Sequence, residues 1–415
     1  MDRTPPAAET LSSTARRHIL FASADAPEVA QARSGLEDMR PKWEVEFASD
    51  AASARAAVGQ KLFDAAVVDL LLPGSDGPSF LKELMEQTPE TLRIGLTTAL
   101  ERPAVEQVSV AAHQLLSKPC DPNVLKAVLA RAFAAQDFVS HDDLRKLVAG
   151  ITSLPMLPPA YMELMQELES EEPSLERAGQ LVAKDMGLSA KILQLVNSAF
   201  FGLGRPISHP SEAAMFLGSE TLKALALSVQ VFSQFNQLKL VEFSVENLWK
   251  HSWTTGVLAR RLCEFEEAGR AATDEAFISG LLHDVGKLVL AANHPTQLEE
   301  AIRQARQNNL ALWEQEYRMY GASHAELGGY LLGIWGLPSG VVEAVAFHHR
   351  PGQARRQTFC ALTAVHAANT VGNVHPSPPN LPHQLIDMNY LRSLGLVERL
   401  PGWKQLFTDS LEKRN

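Results

Sequence analysis

Cysteine is scarce in this chain. The three it has in 415 residues, Cys120, Cys263 and Cys360, lie far apart, and no two form a CxxC pair. That usage excludes a disulfide framework and a thiolate zinc site, and it fits reduced cytosolic thiols. Long apolar runs are missing as well: none approaches the roughly 20 residues that a membrane helix needs. The first sixteen residues, MDRTPPAAETLSSTAR, lack an apolar core of signal-peptide length and read as a disordered polar tail. Cytoplasm is the expected compartment, with no membrane partner. Excess positive charge is also absent. The formal net charge of -10 gives no global attraction to nucleic acid or to anionic membranes. No helix-turn-helix, internal repeat or low-complexity tract stands out, so direct DNA binding is not expected.

What remains is an ordinary globular composition, 46% hydrophobic and 21% charged. The length is too great for one core and implies two or three domains. From His18 to about Phe133, short apolar runs alternate with amphipathic stretches. HILFA, WEVEFA, AAVVDL, RIGLTT and HQLLS are strand candidates, each short enough to be buried on both faces. DAASARAAVGQ, GPSFLKELMEQ and DPNVLKAVLARAF between them read as helices. Five β-then-α units predict a doubly wound parallel sheet whose ligands lie beyond the carboxyl ends of the strands. Asp69 closes the third strand, Thr97 the fourth, and Lys118 follows the fifth. A carboxylate, a hydroxyl and an ammonium converging there suit the formation and neutralisation of an acyl phosphate; three unrelated loop polars are the bland alternative.

With LPGSDG after Asp69 and KPCDP around Lys118, residues 17–136 resemble the receiver domain of bacterial response regulators, a flavodoxin-like fold. The resemblance implies that Asp69 is the phosphoacceptor, Thr97 the hydroxyl that contacts the phosphoryl group, and Lys118 its counter-cation. It also implies a sensor histidine kinase as partner and Mg²⁺ as cofactor. One departure weakens the Mg²⁺ site. Where receivers carry two acidic residues at the end of the first strand, this chain has Ser23 and Ala24, with Asp25 one place further on. A hard cation depends on oxygen anions. The aromatic switch position holds Leu115. A pseudo-receiver that serves as a docking or dimerisation platform, giving a homodimer, is the competing expectation.

After Phe133 the texture becomes helical, with a rigid helical linker expected over 137–150 and an all-α domain over 151–371. Leu188, Ile192, Leu195 and Val196 share one helical face, and another pair of helices is expected around Gly218. A Pro-rich segment and one or two terminal helices follow over 372–415. The pieces SLPMLPPAYMELM, LVAKDMGLSAKILQLVNSAFFG, ISHPSEAAMFLG, LWKHSWTTG, GLLHDVGKLVL, SHAELGGYLLGIWGLP and AFHH occur in order over about 145–350. They resemble the HDOD family, an all-helical output domain related to the HD phosphohydrolases and to the HD-GYP branch that cleaves cyclic di-GMP.

Singly, each histidine of this region is more simply a hydrogen-bonded core residue. Jointly, His251, His283, Asp284, His324, His348 and His349 follow the order of metal ligands in the HD-GYP branch, which implies one or two divalent transition metals (Fe, Mn or Zn). Lys287 sits where HDxGK places a lysine, able to pair with a substrate phosphate or with Asp284. In an enzyme, Asp284 and Lys287 would be the catalytic pair. Two features oppose turnover. Asn369 stands where the closing aspartate of the motif is expected, and an amide is a poorer ligand for a dication; His366, three residues earlier, is a substitute donor. HHRPGQARR stands where that branch has its Gly-Tyr-Pro element. The leading expectation is a signalling response regulator whose HDOD domain is a regulatory module contacting other signalling proteins and binding metal. A metal-dependent phosphohydrolase acting on a cyclic dinucleotide or other nucleotide is the alternative, and an unphosphorylated dimerisation scaffold is the third.

Overall fold

The computed structural model describes residues 16–73, 77–97, 111–138, 144, 147–148, 151, 158–170, 172–198, 201, 206–354, 358–372, 378, 381–382 and 384–412. The first unit is the expected doubly wound sheet. Strands β1 (Arg17–Ala22), β2 (Trp43–Ala48), β3 (Ala65–Asp69), β4 (Leu92–Thr97) and β5 (Gln114–Ser117) lie in the order β2-β1-β3-β4-β5, and every pairing is parallel. Helices α1 (Ala26–Gly35), α2 (Ala51–Gln60), α3 (Gly77–Gln87) and α4 (Pro122–Phe138) alternate with them. Ile19 to Ala22 and Ala65 to Val68 are wholly buried, as strands covered on both faces must be. Register sets Asp69 against Leu96, and Thr97 against Ser117. The three polar residues expected at the ligand edge therefore sit within one step of the strand ends.

One buried group was not legible from the apolar pattern. Arg93, inside β4, is buried, and its guanidinium donates to the carbonyls of Ala111 at 2.7 Å, Thr91 at 3.0 Å and Pro89 at 3.1 Å. Its backbone N–H donates to His113 Nδ1 at 3.0 Å and its Nη2 lies 2.8 Å from His113 Nε2, so the buried His113 ring is held against a permanent cation. Burial, and then the Arg93 charge, push the His113 imidazole well below its ordinary value of 6.5. The unfolded chain therefore binds the proton first. The stabilisation is complete above about pH 6.5 and declines as pH falls toward the folded value, by at most about 1.4 kcal/mol per pH unit. Urea melts between pH 7 and 5 should show that slope, and His113→Gln should reduce it.

The second unit is helical. Helices α5 (Pro159–Leu168), α6 (Leu175–Lys184), α7 (Met186–Val196) and α8 (Pro210–Ser233) come first. Two helical stretches do meet at Gly218, whose φ of 74° breaks α8 as the sequence suggests. There follow α9 (Val245–Phe265), α10 (Arg270–Leu282), α11 (Val285–Asn293), α12 (Pro295–Asn308), α13 (Leu312–Tyr320), α14 (His324–Ile334), α15 (Ser339–Phe347) and α16 (Ala361–Val371). Two terminal helices, α17 (Met388–Ser393) and α18 (Leu400–Glu412), complete it. They pack on the C-terminal half of α9 and on α16 through Tyr390, Leu391, Trp403 and Phe407, and Trp403 Nε1 donates to Glu266 at 2.7 Å.

Glycine sets the closest helix crossings. A Cβ on Gly280 would stand 2.5 Å from Gly256 Cα, and one on Gly286 would stand 2.0 Å from the carbonyl oxygen of His324. The absent side chains let α10 lie on α9 and α11 lie on the start of α14, which brings histidines distant in sequence to one place. Of the linker at 137–150, residues 144, 147 and 148 are helical and α4 runs to Phe138; the rest of that expectation lies outside the described residues.

Candidate functional site

At the carboxyl edge of the sheet, Asp69 is buried and fully engaged. Its Oδ2 accepts from Lys118 Nζ at 2.6 Å and from Ser23 Oγ at 3.1 Å, and its Oδ1 accepts from the Leu71 N–H at 3.0 Å. Burial pushes the Lys118 ammonium down, but Asp69 and Asp25 outweigh it and leave the pKa raised. Asp25 reaches to 3.5 Å from Lys118 Nζ, yet it spends Oδ1 on the Glu28 N–H at 3.2 Å as the cap of α1. Ser23, just after β1, thus bonds the Asp69 carboxylate through its hydroxyl. Leu115 is buried beside Gly95, a core side chain of the sheet.

In the helical unit, α9 supplies His251, the α10–α11 junction His283 and Asp284, and the first turn of α11 Lys287. The start of α14 supplies His324, the end of α15 His348 and His349, and α16 Asn369. The structure brings all eight together. Asp284 is the centre, with each oxygen turned to a different set of imidazoles. Oδ2 lies 3.4 Å from His283 Nε2 and 3.5 Å from His251 Nε2. Oδ1 lies 3.1 Å from His324 Nε2 and 3.7 Å from His348 Nε2. Donor atoms of Asp284, His324, His348 and His349 fall within 4.8 Å of one another, and so do those of His251, His283 and Asp284. Lys287 donates to Asp284 Oδ2 at 2.7 Å, and Asn369 acts on the electrostatics of the His251 side chain.

The rings are aimed by their outer nitrogens. Nδ1 of His283 donates to the Gly280 carbonyl at 2.8 Å, and Nδ1 of His348 to the Val345 carbonyl at 2.7 Å. Nδ1 of His324 bonds Glu316 Oε2 at 2.6 Å, and Nδ1 of His349 bonds Gln384 Oε1. With Nδ1 carrying the proton, each of these Nε2 atoms presents a lone pair to the interior, the arrangement of metal-ligating histidines. Two such lone pairs meet in the 3.0 Å approach of His349 Nε2 to His324 Nε2. His348 Nε2 and Asp284 Oδ1 are buried without a hydrogen bond. Unpaired acceptors in a dry interior are costly, and a cation among them relieves both faults. Neutral imidazoles with one carboxylate suit a borderline divalent transition ion better than Mg²⁺ or Ca²⁺.

For His251, His348 and His349 the electrostatics agree with neutral rings. Burial, then His283, pull His251 down to about 3. Burial and the neighbouring imidazoles hold His348 and His349 well below the ordinary histidine range. Burial acts against the Asp284 carboxylate, but His283 and Lys287 prevail and keep it well below the usual value. For His324, burial pushes down while Glu316 and Asp284 push up, and the balance is raised.

His366 is not a substitute ligand. Its Nδ1 donates to the His348 carbonyl at 2.8 Å and its Nε2 accepts from the Asp387 N–H at 2.9 Å. Both nitrogens are spent holding the backbone around His348. Sequence reading missed Glu316, Gln384 and Trp313, whose ring stacks on His349 at 5.7 Å and 17°. Eight residues separate Glu316 from His324 and thirty-five separate Gln384 from His349, spacings for which no local periodicity gives a signal.

Family models match twice: the response regulator receiver domain over residues 24–130 and the HDOD domain over residues 154–351. An uncharacterised protein of Treponema pallidum (strain Nichols) is 28% identical over 219 residues, 53% of this chain and 42% of its own length. The protein YuxH of Bacillus subtilis (strain 168) is 34% identical over 64 residues, 15% of this chain and 16% of its own length. The chain thus spans less than half the length of these curated relatives. The crystal structure of an HDOD domain protein from Geobacter sulfurreducens shares the fold at 21% identity and a TM-score of 0.52, covering 69% of this chain and 97% of that one. The chain therefore carries a receiver domain followed by an HDOD domain.

Proposed function

We propose that the receiver domain governs the HDOD domain as a regulated module for contact with other signalling proteins, and that the HDOD domain binds a divalent transition-metal ion. The supporting observation is Asp284, whose two oxygens face separate imidazole sets and whose Oδ1 is buried without a hydrogen bond. His324, His348 and His349 would hold an ion on the Oδ1 side, and His251 and His283 on the Oδ2 side. A bound ion would supply Lewis-acid polarisation of a ligand oxygen. Turnover is the weaker reading. Asn369 contributes no charge, so a single carboxylate faces both imidazole sets, and Lys287 already neutralises it. A phosphohydrolase built here would lack a second carboxylate to hold two dications tightly.

Untagged protein purified without chelators should carry close to one transition-metal ion per chain by elemental analysis. Asn369→Asp, which restores a carboxylate beside His251, should raise the content further. A content near zero in both proteins rejects metal binding.

For the receiver, the reading is a phosphoacceptor geometry retained without its Mg²⁺ carboxylates, so that contact with a kinase or another signalling protein is its main input. With a small phosphodonor and Mg²⁺, wild type should label slowly and Asp69→Ala not at all. Ser23→Asp with Ala24→Asp should label at least roughly tenfold faster, since Mg²⁺ affinity follows the count of oxygen anions. Equal, fast labelling of wild type and the double variant would show that the missing pair does not matter.

A further inference from the structure

The two sides of Asp284 are not equivalent. On the Oδ2 side, the oxygen that faces His251 and His283 already accepts the Lys287 ammonium at 2.7 Å. A cation there meets a like charge and only two imidazoles. On the other side stand three imidazoles and an oxygen with no hydrogen bond. Behind them lies a second carboxylate that no motif predicts, Glu316 on α13.

Glu316 is completely buried. One oxygen, Oε2, accepts from both the backbone N–H of His324 at 2.8 Å and its ring Nδ1 at 2.6 Å. It therefore caps the start of α14 and fixes the ring of the same residue. Its other oxygen is buried without a hydrogen bond. A carboxylate in such a place requires positive charge nearby. A protonated His324 would provide it, with Nε2–H donating to Asp284 Oδ1; yet Oδ1 receives no hydrogen bond of proper geometry although Nε2 is 3.1 Å away. An ion at Nε2 satisfies Glu316, Asp284 Oδ1 and His348 Nε2 together.

We propose that Glu316 is a positioning residue that sets the ring and basicity of His324, making the side of Asp284 that faces His324, His348 and His349 the tighter of two unequal metal subsites. This rests on the metal-binding reading above. A carboxylate behind a ligating imidazole raises its donor strength, and losing such a partner typically costs roughly 10–100-fold in metal affinity.

The test is a Co²⁺ titration of the metal-free full chain against a chromophoric chelator, read also by visible d–d absorption. Wild type should bind one tight equivalent and a second, weaker one. Glu316→Gln should weaken the tight equivalent by roughly 10–100-fold and alter its d–d spectrum, with the weak equivalent unchanged. Lys287→Met should tighten the weak equivalent more than the tight one. If Glu316→Gln does not fold, Glu316→Asp, which keeps the charge but withdraws it from Nδ1, should show the same selective weakening. An unchanged tight equivalent, or weakening confined to the second one, overturns the role of Glu316 while leaving metal binding in place. No Co²⁺ bound by wild type overturns both.

Discussion

Asp284→Asn is expected to abolish metal binding on both sides of the cluster at once. No other ligand is shared: Oδ2 faces His251 and His283, and Oδ1 faces His324 and His348. The affinity loss should exceed the roughly 10–100-fold that removal of an outer-shell partner produces. The substitution also has a stability cost, because it strips the charge that pairs with Lys287 in a buried site. Breaking a buried pair by removing one partner costs about 3–5 kcal/mol. The two effects separate in Asp284→Asn with Lys287→Met, in which the melting temperature should recover and the metal content should not. Metal retained by the folded double variant would show that the imidazoles alone hold the ion.

The second large effect is steric. Gly286→Ala should destabilise the helical unit by about 3 kcal/mol or more, the upper range of overpacking, and should lower metal content with it. The new methyl would lie 2.0 Å from the His324 carbonyl oxygen and 2.9 Å from the Gly328 nitrogen. Neither neighbour is a flexible side chain, so α11 and α14 must separate. That motion carries His324 away from Asp284. Gly59→Ala is the control: nothing lies within 4 Å of its Cβ position in α2, and it should be neutral or stabilising by about 0.5–1 kcal/mol. Chemical denaturation of both variants measures the contrast. Similar melts for Gly286→Ala and wild type would mean that the crossing relaxes freely.

Much of the fold is legible because buried strands and helices advertise themselves locally. AAVVD between turn formers reads as a strand buried on both faces, and Leu188, Ile192 and Leu195 read as one face of a helix; the structure has both. The order of the histidines, with Asn369 in place of an acid, is legible too, since it is a matter of residue type and inward helical spacing. Arg93 is the exception within the sheet. A charged residue in a strand reads as an exposed or terminal position until the carbonyls that receive it are seen.

The sequence by itself determined the two fold classes, the polar residues at the sheet edge, and the set of imidazoles with a single aspartate among them. Only the tertiary structure decided that Asp284 divides its oxygens between two imidazole sets, that His366 is spent on backbone groups, and that Glu316 stands behind His324. The physical reason is range. Periodicity reports which face of an element is buried, through contacts only a few residues apart. Which element covers that face depends on helix crossings such as Gly286 on His324, made across thirty-eight residues of chain where a missing side chain allows two backbones to touch.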